Sequence, residues 1–364
     1  MEIIRSNKTK INDVEFKKLG FGKTFTDHMF LCEFKDGKWN SPKIIPYDNF
    51  SISPASSVFH YGQAIFEGMK AYKDKDNNVW LFRPEENYNR LNKSCERMCM
   101  PKIEKDLFFN GIKELLTIDK EWIGKGDTTM YIRPVVFATE ATIVASPSKE
   151  FSFFILCSPA SAYYFNPLSV LIEDTYIRAS KGGVGYAKAA GNYAGSFYPT
   201  SLALEKGFDQ IVWTDSVNHK LVEEAGTMNI FFRINNKLIT PQLTDTILDG
   251  VTRKSVITVA RDSGIDVEVR DIEVSEIIQE YENGNLTEVF GAGTAAVIAP
   301  IISFGYKEKK YTIKDSDNPY GTIIKKKITD IWREENIVNL SVPLSIQVKY
   351  KQSDLAKLDK LKNI

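Results

Sequence analysis

The chain of 364 residues has no excess charge of either sign. It carries 47 lysines and arginines against 47 aspartates and glutamates, which gives a formal net charge of +0. No overall electrostatic field therefore draws it to nucleic acid or to a membrane surface. No stretch reaches the roughly 18 apolar residues that a membrane span requires, and the first residues, "MEIIRSNKTK", lack the apolar run of a signal peptide. Small molecules are the expected partners, and the cytoplasm is the expected location.

Cysteine and histidine are also scarce. The four cysteines include no CxxC pair, and the three histidines are scattered without the spacing of metal ligands. We therefore expect structural thiols and no metal site. The residues concerned are Cys32, Cys95, Cys99 and Cys157, with His28, His60 and His219.

Helical and strand patterns alternate along the chain without internal repeats, which indicates an α/β or α+β protein. Its length suffices for two domains with cores of their own. The segment "SPASAYYFNPLSV", residues 158–170, breaks the periodicity with two prolines and is interpreted as an interdomain linker. The sequence thus predicts a smaller N-terminal domain over residues 1–160 and a larger C-terminal domain over 171–364.

Several local patterns make definite structural predictions. "HMFLCEFKDGKW" and "AYKDKDNNVWLFRP" indicate hairpins, "PEENYNRLNKSCERM" a helix, and "VLIEDTYIRAS" a strand. "NYAGSFYPTSLALEKG" predicts a helix capped by Asn192, and "LDGVTRKSVITVARDSG" a helix from Gly250 to Gly264. A further hairpin is expected about Asn235 and Asn236, and a solvated helix in the lysine-rich tail after about residue 345.

Lys188 lies in the glycine-rich segment "RASKGGVGYAKAAGNYAG", and within residues 186–195 of it, "YAKAAGNYAG", there is no other charge and little bulk. Glycines let the backbone approach a ligand closely. A lysine in such a pocket can form a Schiff base, because burial frees its amine to attack a carbonyl. A solvent-exposed loop lysine is the alternative. Glu224 in "VEEAGTMN" is a candidate partner for a cationic ring nitrogen, with an exposed glutamate at a strand end as its alternative.

Two glycine-containing turns, "DGVTRKS" and "GAGTAA", each offer backbone N–H groups and a threonine hydroxyl near a possible helix start. With Arg90 of "NYNRLNKS" they suggest a phosphate and a second anion such as a carboxylate. Tyr193 can donate a hydrogen bond to a phenolic oxygen, or else simply packs on the core. A ring with a phosphate, an aldehyde, a phenolic oxygen and a protonatable nitrogen is pyridoxal 5'-phosphate.

Seven motifs together resemble the branched-chain-amino-acid aminotransferases, which are fold-type IV pyridoxal-phosphate enzymes. They occur in order from about residue 25 to 345, and they are "FEGMKAY", "LFRPEENYNRL", "YIRPVVF", "KAAGNYA", "EEAGTMNIFF", "LDGVTRKS" and "FGAGTAAVIAP". The resemblance implies the two-domain α/β (α+β) architecture of that fold type. It also implies pyridoxal 5'-phosphate as the cofactor and reversible amino transfer between L-leucine, L-isoleucine or L-valine and 2-oxoglutarate.

The resemblance assigns roles to matching positions. Lys188 would bind the cofactor covalently and be the catalytic residue, Glu224 would pair with the pyridine nitrogen, and Tyr193 would contact the phenolic oxygen. The phosphate would be held by Arg90, Val251, Thr252 and Thr294, and Arg178 would lie near the cofactor. The substrate carboxylate would lie against Thr227, Ala295 and Ala296. The side-chain pocket would be lined by Tyr61, Phe66 and Tyr131, with Arg133 and Lys70 beside it.

Family resemblance further implies ping-pong kinetics and a homodimer. The redox CxxC that mammalian relatives carry after the Gly-Thr-Ala turn is replaced here by "GTAAVIAP", so thiol regulation of that type is not expected. Two alternatives share the fold, a D-amino-acid aminotransferase and an aminodeoxychorismate lyase, but "FEGMK" and "YIRP" argue against them. A non-catalytic phosphate-binding protein, in which Lys188 only pairs with an anion, is the alternative from another class.

Overall fold

A computed structural model describes residues 1–74, 77–124, 128–160, 166–314 and 318–332 of the chain. It divides into two units. The first comprises Met1–Tyr163, Ala187–Ala190 and Asp330–Ile364, and the second comprises Tyr164–Tyr186 and Gly191–Thr329. The segment that carries Lys188 therefore belongs to the first unit, although its flanking residues belong to the second. Part of the expected linker, residues 161–165, and the expected tail helix after 345 lie outside the described residues.

The first unit is built on a mixed sheet with the strand order β1-β4-β2-β9-β8-β6-β7, where β3 pairs with β2 and β5 pairs with β8. Its strands are β1 (Glu2–Ile3), β2 (His28–Lys35), β3 (Lys38–Trp39), β4 (Lys43–Pro46), β5 (Ala64–Phe66), β6 (Met69–Lys73), β7 (Val79–Leu81), β8 (Thr129–Ala138) and β9 (Phe151–Ala160). Its helices are α1 (Ser57–Tyr61), α2 (Pro84–Arg97) and α3 (Lys105–Ile118). Both hairpins and the helix predicted in this part of the sequence are confirmed.

Helix α3 shows how the sequence determines packing in this unit. Phe108, Ile112 and Leu115 recur at the i, i+4, i+7 spacing of one helical face, and each is almost wholly buried. They join a core that includes Phe30 and Ile155 of the two central strands. Burial of side chains of this size stabilises the fold by about 1.5 to 3 kcal/mol each.

The second unit is built on a sheet with the order β12-β11-β10-β17-β16-β13-β14-β15. Its strands are β10 (Leu168–Ile172), β11 (Gln210–Thr214), β12 (Val222–Ala225), β13 (Met228–Ile234), β14 (Lys237–Thr240), β15 (Val267–Val269), β16 (Leu286–Gly293), β17 (Val297–Tyr306) and β18 (Lys309–Thr312). Its helices are α4 (Ala190–Ala194), α5 (Phe197–Glu205), α6 (Val251–Asp262), α7 (Val274–Glu282) and α8 (Tyr320–Trp332). The first residue of α4 and the last three residues of α8 are assigned to the first unit. Strand β12 also pairs with β13, so six strands close into a ring and β12 has a neighbour on both sides.

Two predictions in the second unit rest on residues that favour turns and helix ends. Asn235 and Asn236 both adopt positive φ, 50° and 62°, and join β13 to β14 as expected for a tight hairpin turn. Gly250 is the N-cap of α6, and Gly264 beyond its end adopts φ 76°. Both predictions are confirmed.

Three local predictions are wrong. The strand expected through residue 180 ends at Ile172, because the Glu173 carboxylate accepts the backbone N–H groups of Thr175 and Tyr176 and forms a turn. Asn192 is not an N-cap but lies inside α4, where its amide donates to the Val184 carbonyl. The expected single helix is instead two, α4 and α5, and Pro199 is accommodated in the first turn of α5.

The helix start expected at "GAGTAA" is wrong as well. This segment connects the antiparallel strands β16 and β17, in which Gly293 lies opposite Val297.

Among the described residues, no helix has the length and apolar character that crossing a membrane would need.

Candidate functional site

In the first unit, the Lys188 backbone is fastened beside β5. Its carbonyl accepts the Phe66 N–H at 3.1 Å, its N–H donates to Ser94 Oγ at 2.9 Å, and the next residue, Ala189, bridges to Ile65. The lysine is thus held like a short extra strand. Its Nζ lies 4.6 Å from the centre of the Phe66 ring, within the range of a cation–π contact. The segment therefore presents the amine in a defined place.

A buried ion pair lies next to this lysine. Glu67 is wholly buried, and Arg90 of α2 donates to both its carboxylate oxygens at 2.7 and 2.8 Å, while Asn87 donates at 2.8 Å. Burial raises the pKa of Glu67, but the charge and hydrogen bonds of Arg90, with Lys188 and Asn87, outweigh it, so the net shift of the pKa is downward. Glu67 therefore stays ionised and gives the first unit a fixed negative charge beside Lys188.

Aromatic and cationic side chains cluster along β8. The Arg133 guanidinium lies 4.5 Å from the Phe66 ring centre and 5.2 Å from that of Tyr131, and it donates to the Tyr131 hydroxyl at 3.1 Å. A Cβ at Gly68 would overlap that hydroxyl, which explains the glycine in "FEGMK". The Phe21 ring packs edge-on against Tyr131 with 4.6 Å between centres.

Two other predicted pocket residues have different settings. Lys70 is buried on β6, directly opposite Tyr131 of β8. Tyr61 on α1 remains 46% exposed, and its hydroxyl donates to the Ile143 carbonyl. Lys70 thus lies with the β8 cluster, whereas Tyr61 lies on an exposed face.

In the second unit, Glu224 and Arg178 form a buried pair. Arg178 Nε lies 3.2 Å from Glu224 Oε2, and the other carboxylate oxygen accepts the Leu248 N–H. The guanidinium is anchored from behind, since it also donates to the carbonyls of Thr246 at 2.5 Å and Gly185 at 3.2 Å. Charge-assisted bonds of this kind are roughly twice as strong as neutral ones, so the carboxylate is held rigidly.

Glu224 and Arg178 face a narrow pocket, in which the space open to water is only about 10 Å³. That is about the space of one water molecule. Tyr193 and Thr227, both predicted as ligand contacts, also line it. The complete lining is Arg178, Asn192, Tyr193, Ser196, Trp213, Glu224, Gly226, Thr227 and Leu248.

The predicted anion-binding residues lie at two kinds of backbone. Val251 and Thr252 form the buried first turn of α6, a 12-residue helix with no acidic residue in that turn. A helix N-terminus of this kind favours a phosphate. Thr294, Ala295 and Ala296 instead form the turn between β16 and β17, where they offer turn rather than helical N–H groups.

Comparison with known proteins bears on these arrangements. The family model described as amino-transferase class IV matches residues 64–304. The chain is 46% identical over 315 residues to a probable branched-chain-amino-acid aminotransferase of Staphylococcus aureus strain N315, covering 85% of this chain and 87% of that protein. It is 43% identical over 328 residues to branched-chain-amino-acid aminotransferase 2 of Bacillus subtilis strain 168, covering 89% and 90%.

The fold has close counterparts among solved structures. A crystal structure of the Escherichia coli branched-chain amino acid aminotransferase superposes with a TM-score of 0.71 at 22% identity, covering 85% of this chain and 95% of that one. The holo form of the Thermobaculum terrenum enzyme, described as the PLP form, gives 0.69 at 23% identity over 85% and 94%. At this identity the likeness establishes the fold, which confirms the predicted architecture.

The chain therefore belongs to the class IV aminotransferases. Within that class its relatives are named branched-chain-amino-acid aminotransferases, and the function is pyridoxal-phosphate-dependent amino transfer from branched-chain amino acids. The predictions of fold class, activity and cofactor are confirmed, and the substrates are amino acids and 2-oxo acids.

The residues present fit this cofactor. A buried carboxylate that faces a pocket suits a protonated ring nitrogen, because a second positive charge further stabilises its ionised form. Tyr193 supplies a hydroxyl in the same pocket, and α6 supplies an N-terminus suited to a phosphate.

Several residues that contact predicted site residues within each unit were not expected from the sequence. Glu67 and Asn87 hold Arg90, Phe21 covers Tyr131, and Glu223 lies beside Glu224. The signal for Glu67 was present in "FEGMKAY", where a glutamate connects two short apolar strands, β5 and β6, and needs a cation if it is buried. Phe21 carried no such signal, since its contact with Tyr131 joins residues 110 positions apart.

Proposed function

We propose that Lys188 is the catalytic residue, which binds the cofactor covalently and afterwards moves the substrate proton. Support comes from its fixed backbone and from the Nζ position over the Phe66 ring. Lys188 Nζ would accept the proton of the substrate Cα and then deliver it to the cofactor carbon that bore the aldehyde, so a single amine would serve as base and then acid. Glu67, ionised and nearby, balances the charge that Nζ gains.

The observation that carries the assignment in the second unit is the buried Glu224–Arg178 pair. We assign Glu224 to the ring nitrogen, Arg178 to holding the Glu224 carboxylate, and Tyr193 to the phenolic oxygen. When bound, pyridoxal phosphate supplies a carbonyl that reacts with amines and a ring that withdraws electrons from the substrate Cα. Glu224 makes the ring a better electron acceptor by keeping its nitrogen protonated.

Backbone N–H groups are assigned to the two anions, the cofactor phosphate and the substrate carboxylate. The N-terminus of α6 at Val251 and Thr252 is assigned to the cofactor phosphate, with Thr294 and Arg90 as further donors. Thr227 and the N–H groups of Ala295 and Ala296 are assigned to the substrate carboxylate.

Substrate side chains are assigned to the aromatic cluster. Phe66, Tyr131 and Tyr61 line the place of an aliphatic side chain, and Arg133 with Lys70 receives the γ-carboxylate of 2-oxoglutarate. Arg133 contacts both the Phe66 ring and the Tyr131 hydroxyl, which supports this dual use. Its guanidinium can bind a substrate carboxylate, and the rings beside it can contact an aliphatic side chain.

A homodimer is proposed as the working form. Large apolar side chains in the first unit remain exposed around α1 and the loop after β8, and a second copy would cover them. They are Phe59, Tyr61, Ile143 and Val144.

Residues 1–160 and 171–364 are proposed as the domains, with 158–170 as the linker. The cytoplasm is proposed as the location, in keeping with four free cysteines.

The test of these assignments is the absorption spectrum of the cofactor-loaded protein during the two half-reactions. L-leucine alone should convert the cofactor to its amine form, and 2-oxoglutarate should restore the starting spectrum. A response to D-alanine but not to L-leucine would contradict the assigned pocket. Absence of any cofactor band after incubation with pyridoxal phosphate would overturn the role of Lys188.

A further inference from the structure

Glu223 is a second buried carboxyl group beside the assigned cofactor residues, and the assignments above give it no role. It precedes Glu224 on β12 and is only 7% exposed. Strand β12 is flanked on both sides, by β11 and β13, so this carboxyl group cannot reach solvent by a small movement of a sheet edge. A buried carboxyl group needs partners or must become neutral.

Its hydrogen bonds are incomplete. Oε1 accepts the Thr246 hydroxyl at 2.5 Å, whereas Oε2 has no hydrogen-bond partner among the residues that the structure describes. The Thr246 hydroxyl is itself 2.8 Å from that of Thr244. An ionised carboxylate with one oxygen buried and unpaired is costly, whereas a neutral acid in the same place costs much less.

Two of the charges around Glu223 also favour its neutral form. Glu224 lies next to it on its own strand, Asp215 lies at the end of β11, and Arg178 approaches from the segment after β10. Burial, followed by the repulsion of Glu224 and Asp215, raises the pKa of Glu223 to about 7, against the lowering by the Thr246 bond and Arg178. Two further charged groups belong to the neighbouring residues. Asp245 precedes Thr246 in sequence, and Arg253 of α6 interacts with Glu224.

One short segment, residues 244–248, links Glu223 to the cofactor residues. The Thr246 side chain binds Glu223, the Thr246 carbonyl accepts Arg178, and the Leu248 N–H donates to Glu224. Asp245 in the same segment accepts the N–H groups of Gly182 and Tyr186 through its carboxylate and carbonyl. A change at Glu223 therefore reaches Arg178 and Glu224 through a chain of direct bonds.

We propose that Glu223 is a positioning residue for the cofactor ring, which in its neutral form holds residues 244–248 so that Arg178 and the Leu248 N–H keep Glu224 directed into the pocket. Its ionisation places a second negative charge behind Glu224. This inference rests on the proposed function of Glu224 and deepens it. Glu223 itself touches neither cofactor nor substrate.

The test uses pyridoxamine 5'-phosphate as the probe, because this form binds without covalent attachment to Lys188. Its dissociation constant is measured for the wild-type protein, for Glu223→Gln and for Glu205→Gln, an exposed control on α5, between about pH 5 and 9. Ionisations of the probe affect all three proteins equally. The ratio of the dissociation constant of Glu223→Gln to that of the wild type therefore reports only the ionisation of Glu223. The ratio should stay constant below pH 7 and change above it, and the control ratio should stay constant throughout.

The outcomes separate the two proposals. If the wild-type protein binds no probe, the assigned pocket is wrong and this inference falls with it. If it binds but the curve of Glu223→Gln runs parallel to the wild-type curve at every pH, the pocket stands and the role of Glu223 is overturned.

A second variant keeps the inference open to refutation should Glu223→Gln fail to fold. Thr246→Val removes the hydroxyl that links Glu223 to residues 244–248 while keeping the size of the side chain. Loss of one buried hydrogen bond corresponds to a weakening of probe binding of about fivefold. Unchanged binding by Thr246→Val would contradict the proposed linkage.

Discussion

Arg178 Nε lies 3.2 Å from Glu224 Oε2, and both side chains are almost wholly buried. Arg178 is in turn fixed by the carbonyls of Thr246 and Gly185. The carboxylate that faces the pocket therefore has a cationic partner that is itself anchored to the backbone. Any ring nitrogen that binds Glu224 meets a carboxylate whose position is already set.

Glu224→Gln should lower kcat by about 30- to 150-fold, the equivalent of about 2 to 3 kcal/mol for a hydrogen bond to a charged group. The amide keeps the shape of the side chain but cannot keep the ring nitrogen protonated, so the cofactor should still bind. Steady-state kinetics with L-leucine and the cofactor content of the purified variant check both parts. Glu205→Gln is the control, and an unchanged kcat for Glu224→Gln would assign the ring nitrogen elsewhere.

Lys188→Ala should abolish turnover and leave the fold intact, because the side chain is needed for attachment and for proton movement, whereas its backbone bonds persist. Activity and the far-ultraviolet circular dichroism spectrum are the measurements. Lys181→Ala, at an exposed position of the same glycine-rich stretch, should behave as wild type. Substantial steady-state activity in Lys188→Ala would exclude it as the catalytic residue.

Arg133→Gln should discriminate between the two substrates. Loss of a charge-assisted bond to the γ-carboxylate predicts a fall of about tenfold or more in kcat/KM for 2-oxoglutarate, against a much smaller change for L-leucine. Tyr131→Phe, which removes the hydroxyl that Arg133 binds, should give a weaker effect of the same sign. Equal losses for both substrates would indicate that Arg133 only supports the pocket wall.

Glu67→Ala should destabilise the cofactor-free protein by about 3 to 5 kcal/mol, because it leaves Arg90 buried without its carboxylate. The folded-state pKa of Glu67 is lowered, so its contribution to stability is present above the ordinary value of 4.5 and is lost as the pH falls through the folded-state value. Urea unfolding at several pH values measures this. Glu96→Ala, which removes an exposed pair with Lys102, should change stability little, and a similar small effect at Glu67 would contradict the buried-pair argument.

Thiol labelling should find one reactive cysteine in the folded protein. Cys99 is exposed, whereas burial raises the pKa of Cys32 and of Cys95 to about 12 and raises that of Cys157 as well. A disulfide reagent near neutral pH should therefore modify one thiol rapidly and all four after denaturation. Cys99→Ser should remove the rapid phase, and a rapid phase that survives would show that a buried thiol opens to solvent.

Patterns of short range were readable from the sequence. Helices α2 and α6 were predicted from their sequence patterns, and the β13–β14 hairpin from its two asparagines. The strand after residue 168 was predicted too long because a side chain, Glu173, ends it by binding its own backbone. The helix expected from Asn192 failed for a similar reason, since the Asn192 amide bonds to Val184 rather than to a helix N-terminus. Such competing local bonds have no periodic signature.

The order of motifs by itself determined the class of enzyme, because "KAAGNYA", "EEAGTMNIFF" and "LDGVTRKS" combine a lysine, a carboxylate and a helix start in a spacing typical of one family. The sequence also carried the residue types that each role requires. Only the tertiary structure decided which groups fix these side chains in place. Glu67 accepts hydrogen bonds from Arg90, Arg178 pairs with Glu224, and residues 244–248 contact both Glu223 and Arg178. The reason is that burial and charge pairing depend on chain segments far apart in sequence, and their energies arise only when folding removes both partners from water.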